Sequence, residues 1–242
     1  MDRRATAAIA AGAAALGAAL WTTVVEPRRL RIRRVDVGVP GWPEGLAGLR
    51  VALIADLHAG APHLDEARVS HVVDAVNAAR PDVVALLGDY VDPDAALGET
   101  VSPEAVARRL GGLDAPLGTF AVLGNHDWLA DGERVRRALR EQLIDVLEND
   151  AASVDFAGEV LWLVGLADVT TRAPDVATPF SLVPESAPLI VLSHNPDLVR
   201  FLPERPMLML AEHIPGAGTR ALALRTRSAP ELEMLKVAGS IR

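Results

Sequence analysis

Residues 49–58 read LRVALIADLH. From Leu49 to Ala55 only Arg50 is polar, and a near-continuous apolar run of this length suits a strand covered on both faces of a sheet. The run stops at Asp56-Leu57-His58, which brings an oxygen and a nitrogen metal donor directly after the strand. The pattern recurs. Pro81–Leu87 (PDVVALL) runs into Gly88-Asp89-Tyr90-Val91-Asp92, and Gly118–Leu123 (GTFAVL) into Gly124-Asn125-His126-Asp127. Val160–Leu166 ends near Asp168, Pro188–Leu192 at Ser193-His194-Asn195-Pro196, and Pro206–Ala211 at Glu212-His213. Asp65–Arg80 has apolar residues at helical spacing (Val69, Val72, Val73, Val76) behind Asp65 as a candidate N-cap. Ser102–Leu110 and Gly132–Leu143 are further helical stretches, and Asp168–Pro188 reads as a loop and helix start beside the site. Strands alternating with helices predict an α/β fold that binds ligands beyond the carboxyl ends of its strands.

Four of the six histidines, His58, His126, His194 and His213, fall at those ends. His63 and His71 do not, and read as loop and helix surface. One histidine after a strand is ordinary loop capping; four, with Asp56, Asp89 and Asn125, point to a shared site. Imidazole, carboxylate and amide donors without thiolate suit Mn, Fe or Zn. The roles of Tyr90, Trp128 and Asp168 stay open between packing, loop capping and ligand contact.

The composition sets bounds. The chain has 242 residues, half of them hydrophobic, and no cysteine. This excludes a disordered chain and a disulfide scaffold, and a single long apolar run excludes a multi-span transporter. The charge is uneven. Seven arginines against Asp2 and Glu26 give residues 1–34 a net +5, which leaves −13 for the remainder of a chain whose total is −8. An acidic body argues against nucleic acid as a partner.

Residues 5–25 carry no charge, and ten of the first twenty residues are alanine. As a helix this segment just spans a ~30 Å hydrocarbon core, so a membrane anchor is expected through residues 5–25. A buried Ala-rich helix is the alternative. Arginines at 28, 29, 31, 33 and 34 would hold the body on the cytoplasmic side. Arg3-Arg4 before an apolar stretch is instead similar to a twin-arginine export signal, so the side of the membrane stays open.

Taken in order, Asp56-Leu57-His58, Gly88-Asp89-(Tyr90-Val91)-Asp92, Gly124-Asn125-His126-Asp127 and Ser193-His194-Asn195-Pro196 resemble the motifs of the calcineurin-like metallophosphoesterases. The match is to their bacterial membrane-anchored or exported phosphodiesterase branch, which also has a junction like Glu26-Pro27-Arg28. The resemblance implies a metallophosphoesterase-type β-sandwich of two mixed sheets flanked by helices, in four αββα layers. Residues 1–34 would be the anchor or export signal and 35–242 the catalytic domain. Two divalent ions (Mn, Fe or Zn) would share Asp89, with Asp56 and His58 on the first and Asn125, His194 and His213 on the second. His126 would act at the leaving group, and Asp92 and Asp127 would orient the ligands. The implied activity is hydrolysis of a phosphodiester or pyrophosphate by a metal-bound hydroxide, on a small phosphorylated or lipid-linked substrate, at the cell membrane or in the envelope.

The last motif departs from the family pattern A-G-H-x-H-G-G-Q. This chain reads Ala211-Glu212-His213-Ile214-Pro215-Gly216, so Pro215 replaces a ligand histidine and Glu212 is the candidate substitute ligand. Residues 216–224 and 228–235 are similar to segments that lie farther on in the family, which implies a shortened C-terminal part. Two readings follow: a metal-dependent phosphoesterase whose first metal site is impaired by Pro215, or a degenerate, weakly active or non-catalytic membrane-anchored metal-binding homologue; the number of ions, two or only one, stays open.

Overall fold

The computed structural model describes residues 12, 13, 15–17, 30–61, 64–93, 101–211 and 231–239, with residues 30–31 and 231–239 as backbone only. Glu212, His213, Pro215 and most of the apolar N-terminal segment lie outside the described residues. Among the described residues no helix is long and apolar enough to cross a membrane.

The chain forms an α/β sandwich of two sheets flanked by helices. The first sheet has six strands in the order β1-β10-β2-β3-β4-β5. These are Leu30–Gly38 (β1), Arg50–Ala55 (β2), Val83–Leu86 (β3), Thr119–Ala121 (β4), Asp145–Val146 (β5) and Glu231–Gly239 (β10). All pairings are parallel except β1 with β10. The second sheet is Asp150–Phe156 (β6), Glu159–Gly165 (β7), Leu189–Ser193 (β8) and Leu208–Ala211 (β9), in that order. Its β6–β7 hairpin is antiparallel and its β7–β8–β9 run parallel. Both sheets are therefore mixed.

The apolar runs are explained by three packed interfaces. Along β2, Ala52 and Ile54 face one side while Val51, Leu53 and Ala55 face the other; β3 divides the same way, Val84 and Leu86 against Val83 and Ala85. The first group packs under helices α1 (Glu66–Ala78), α2 (Pro103–Leu110) and α3 (Asn125–Glu141). The second meets Leu161, Leu163, Ile190, Leu192, Leu208 and Leu210 of the second sheet. The alternate residues of that sheet, Val164, Leu189, Val191 and Met209, pack beneath α4 (Ala177–Ser181) and the 3-10 turn Pro196–Phe201, completing four layers. Removing such side chains from water, at about 25 cal/mol per Å², is the main drive for the fold.

Two caps match the sequence. The Asp65 carboxylate accepts from Arg68 N–H and the Ser102 hydroxyl from Ala105 N–H. One expectation is corrected. The helix expected over 132–143 begins at Asn125, with Gly124 as N-cap, and bends at Asp131. Asn125, His126 and Asp127 therefore stand in the first helical turn rather than in a loop. The glycine and the break at Asp131 conceal that turn from a periodicity search.

A candidate metal centre

The carboxyl ends of β2, β3, β4 and β8 deliver the acidic, amide and imidazole residues to one edge of the sandwich. The segments after β2 and β3 are joined by backbone bonds: Asp56 N–H to Gly88 O (3.1 Å), His58 N–H to Asp89 O (2.9 Å) and Ala59 N–H to Tyr90 O (2.9 Å). Three non-glycine residues there hold left-handed backbone, Asp56 at φ 52°, His58 at 43° and Asp89 at 56°. Each such residue costs on the order of 1–2 kcal/mol, and the cross-linked backbone sustains it. The strain turns the donors of two loops toward one centre.

Asp89 is that centre. Its Oδ1 accepts from His126 N–H at 2.9 Å. Its Oδ2 is buried, with His194 Nε2 at 3.4 Å and His58 Nε2 at 3.6 Å. Two triads have ligand atoms within 4.8 Å of one another, Asp56–Asp89–His194 and His58–Asp89–His126, and Asp89 is common to both. The His58 and His126 rings meet edge to face with centroids 4.7 Å apart. Asn125 Oδ1 lies 3.1 Å from His194 Nε2. A buried carboxylate facing two imidazole nitrogens, with a second carboxylate close by, is the kind of donor set that a cation satisfies. The donor set fits a divalent metal.

The field within the cluster is mutual. Burial would raise Asp89, but the hydrogen bond and charge of His194, with His58 and His126, hold it below its ordinary value. Burial would lower His194, and it is overcome by Asp89, then Asp56, so that His194 rises to about 9. His58 goes the other way, lowered mainly by burial against the pull of Asp89 and Asp92. Asp92 thus lies near enough to act on His58, and its N–H donates to Ala59 O at 3.1 Å.

Asp127 ties the loops together. Its carboxylate accepts from the N–H groups of Asp89 (2.8 Å), Tyr90 (2.8 Å), Val91 (3.3 Å) and Gly124 (3.0 Å). It is fully buried, and burial with the Asp89 charge pushes it up to about 7 despite those donors. Leu87 O, 2.8 Å from His194 Nδ1, orients the imidazole from behind so that Nε2 faces the cluster. No residue type announces this backbone partner, so sequence reasoning could not find it.

The open residues are now placed. Tyr90 is a buried post whose hydroxyl donates to Val122 O (2.6 Å) and accepts from Gly88 N–H (3.2 Å). Asp168 caps the loop after β7, its Oδ2 accepting from the backbone and hydroxyls of Thr170 and Thr171. Trp128 donates to Glu148 (3.1 Å), and the guanidinium of Arg172 sits 4.0 Å from its ring centroid. Arg172, stacked on the tryptophan two residues after His126, is a cation that sequence reasoning passed over.

Two glycines are obligatory. A Cβ on Gly124 would overlap the Asp89 carboxylate and backbone. Gly88 holds φ +96°, and its Cβ would overlap Gly124 N. Gly124→Ala is expected to displace Asp89 and to weaken metal affinity at least tenfold, since a shift in ligand geometry costs on that order. Calorimetric titration of the variant with Mn²⁺ checks this, and unchanged affinity would contradict it.

The fold and this cluster define a two-sheet phosphoesterase domain with a metal-binding carboxyl edge. The chain belongs to the calcineurin-like phosphoesterase family, whose model matches residues 49–198. It is 30% identical over 188 residues to a zebrafish (Danio rerio) "transmembrane protein with metallophosphoesterase domain", covering 73% of this chain and 42% of that protein. It is 26% identical over 235 residues to the UDP-2,3-diacylglucosamine pyrophosphatase LpxG of Chlamydia trachomatis, covering 77% of this chain and 69% of that protein. It is also 26% identical to the Bacillus subtilis metallophosphoesterase YkuE, over 86% of this chain and 73% of that one. Among solved structures, the Haemophilus influenzae NAD nucleotidase matches with a TM-score of 0.48 and 13% identity, over 76% of this chain and 39% of that one.

Proposed function

We propose that the chain hydrolyses a phosphodiester or pyrophosphate bond with two divalent ions held across Asp89. The observation that carries this reading is the buried Asp89 carboxylate shared by two groups of candidate donors, Asp56 with His194 and His58 with His126. Asp56, His58, Asn125 and His194 would hold the ions, with His213 and Glu212 from beyond β9. What the ions supply when bound is neutralisation of the phosphate charge and a water acidified toward neutrality. His126, at the start of α3, gives the leaving oxygen a proton from its imidazole. The N-terminus of α3 favours the anionic phosphate, and Arg172, stacked on Trp128, offers it a cation. Asp127 and Leu87 O keep the loops and His194 in place while charge changes hands. The substrate is a small phosphorylated or lipid-linked molecule, in keeping with LpxG among the relatives. The segment 5–25 anchors the protein in a bacterial membrane or directs its export.

Purified protein should cleave an aryl phosphodiester when Mn²⁺ is added and stop when the metal is chelated. Metal analysis should find two ions per chain, with Glu212 or water in the place of the histidine that Pro215 replaces. One ion without turnover would favour the non-catalytic reading.

Metal binding must displace the proton that His194 holds up to about pH 9. Apparent affinity should therefore rise roughly tenfold per pH unit below that value, with one proton released. Calorimetry in buffers of different ionisation enthalpy counts the proton, and a pH-independent affinity would contradict the assignment.

A further inference from the structure

The first strand determines which edge of the sandwich the N-terminal segment is tied to. β10 runs parallel to β2 and β1 antiparallel to β10, so β1 runs against β2. Arg31 pairs with Ala238, and Ala238 pairs with Ala55, the residue before Asp56. The start of β1 thus lies two strand spacings, ~10 Å, from the backbone that delivers Asp56. Four residues, 26–29, separate Val25 from Leu30. At ~3.5 Å per residue, Val25 can lie no farther than ~18 Å from Leu30. The opposite edge lies beyond the nine residues of β1, a further ~30 Å away.

The segment entering β1 and its first half are basic: residues 28–34 read RRLRIRR, five arginines in seven positions, and Ile32, Arg33 and Arg34 are solvent-exposed on this edge strand. Arginines flanking an apolar segment match an anionic lipid surface, whose attraction falls off within about a Debye length, ~8 Å at physiological salt.

We propose that this basic end of β1 docks the domain on an anionic bilayer with the metal edge facing the headgroups. The inference rests on the anchor reading of residues 5–25 and adds the orientation to it. A substrate would then be reached within the lipid interface rather than from the bulk solution.

The absence of cysteine makes the test direct. Single cysteines are introduced in the full chain by Ala173→Cys and Ala157→Cys. Ala173 is exposed on the loop after β7, at the metal edge, and Ala157 is exposed at the β6–β7 turn, at the opposite edge. Each variant is labelled with a fluorophore and reconstituted into vesicles of phosphatidylcholine and phosphatidylglycerol carrying a headgroup spin label. The expected result is severalfold stronger quenching at position 173 than at 157, with the difference shrinking when Arg33→Glu and Arg34→Glu are combined. A chain that floats with the vesicles but shows equal or reversed quenching overturns the orientation alone. A chain that does not float with them overturns the anchor reading and the orientation with it.

Discussion

Asp89→Asn is expected to give a folded protein whose phosphodiester hydrolysis falls at least about 10³-fold, the scale of losing several kcal/mol of charge stabilisation in the transition state. The amide keeps an oxygen for His126 N–H and removes the charge shared by both ligand triads. Stability should fall as well: in chelator the variant loses the stabilisation that His194 draws from the Asp89 charge, so it should melt below wild type at neutral pH, an effect partly offset because Asp89 no longer raises Asp127 by repulsion. Its pH profile should change too. His194 is raised from 6.5 to about 9 largely by Asp89 acting against burial. The resulting stabilisation is complete below pH 6.5 and lost as pH rises through about 9. Without the Asp89 charge, that loss between pH 6.5 and 9 should disappear. Thermal melts at several pH values, beside the rate assay, test both statements. Activity within tenfold of wild type would remove Asp89 from the centre of the mechanism.

Asp127→Ala is expected to have the largest effect on stability, about 4 kcal/mol, because it strands buried N–H donors at about 1–3 kcal/mol each. The donors of Asp89, Tyr90 and Gly124 all lie within 3.0 Å of the lost carboxylate. Asp127→Asn keeps one acceptor oxygen and should cost less than half as much. Titration separates charge from geometry. Asp127 sits at about 7 against an ordinary 3.8, raised by burial and then by Asp89. A carboxyl raised in the folded state stabilises it fully below pH 3.8, and that contribution is lost as pH rises through about 7. The metal-free protein should therefore weaken from about pH 4 to 7, and Asp127→Asn should flatten this slope. Denaturant melts in chelator measure it; identical slopes for variant and wild type would show that Asp127 is ionised throughout.

Much of this was legible in the sequence because the sheets are covered on both faces. Six apolar runs matched β2, β3, β4, β7, β8 and β9, with ends displaced by a residue or two. β1 and β6 went unread because their charged and small residues interrupt any apolar run; both lie at sheet edges. The convergence of Asp56, Asp89, Asn125 and His194 followed from the rule that parallel strands deliver their next residues to one edge. Partners that carry no side-chain signal did not follow. The Leu87 carbonyl behind His194 and the four amides on Asp127 exist only once the backbone is folded. Arg172 on Trp128 was hidden for another reason: 44 residues separate the two, and nothing local marks either as the other's neighbour.

The position of β10 governs how the molecule is made. β1 reaches the sheet only through β10, and β10 separates it from β2. While the polypeptide emerges from the ribosome, residues 30–38 have no hydrogen-bonding partner until residues 231–239 have been synthesised. Through most of translation the strand following the apolar segment stays unpaired, and β2 remains an open edge. Closing a sheet across some 200 residues is slow compared with local folding.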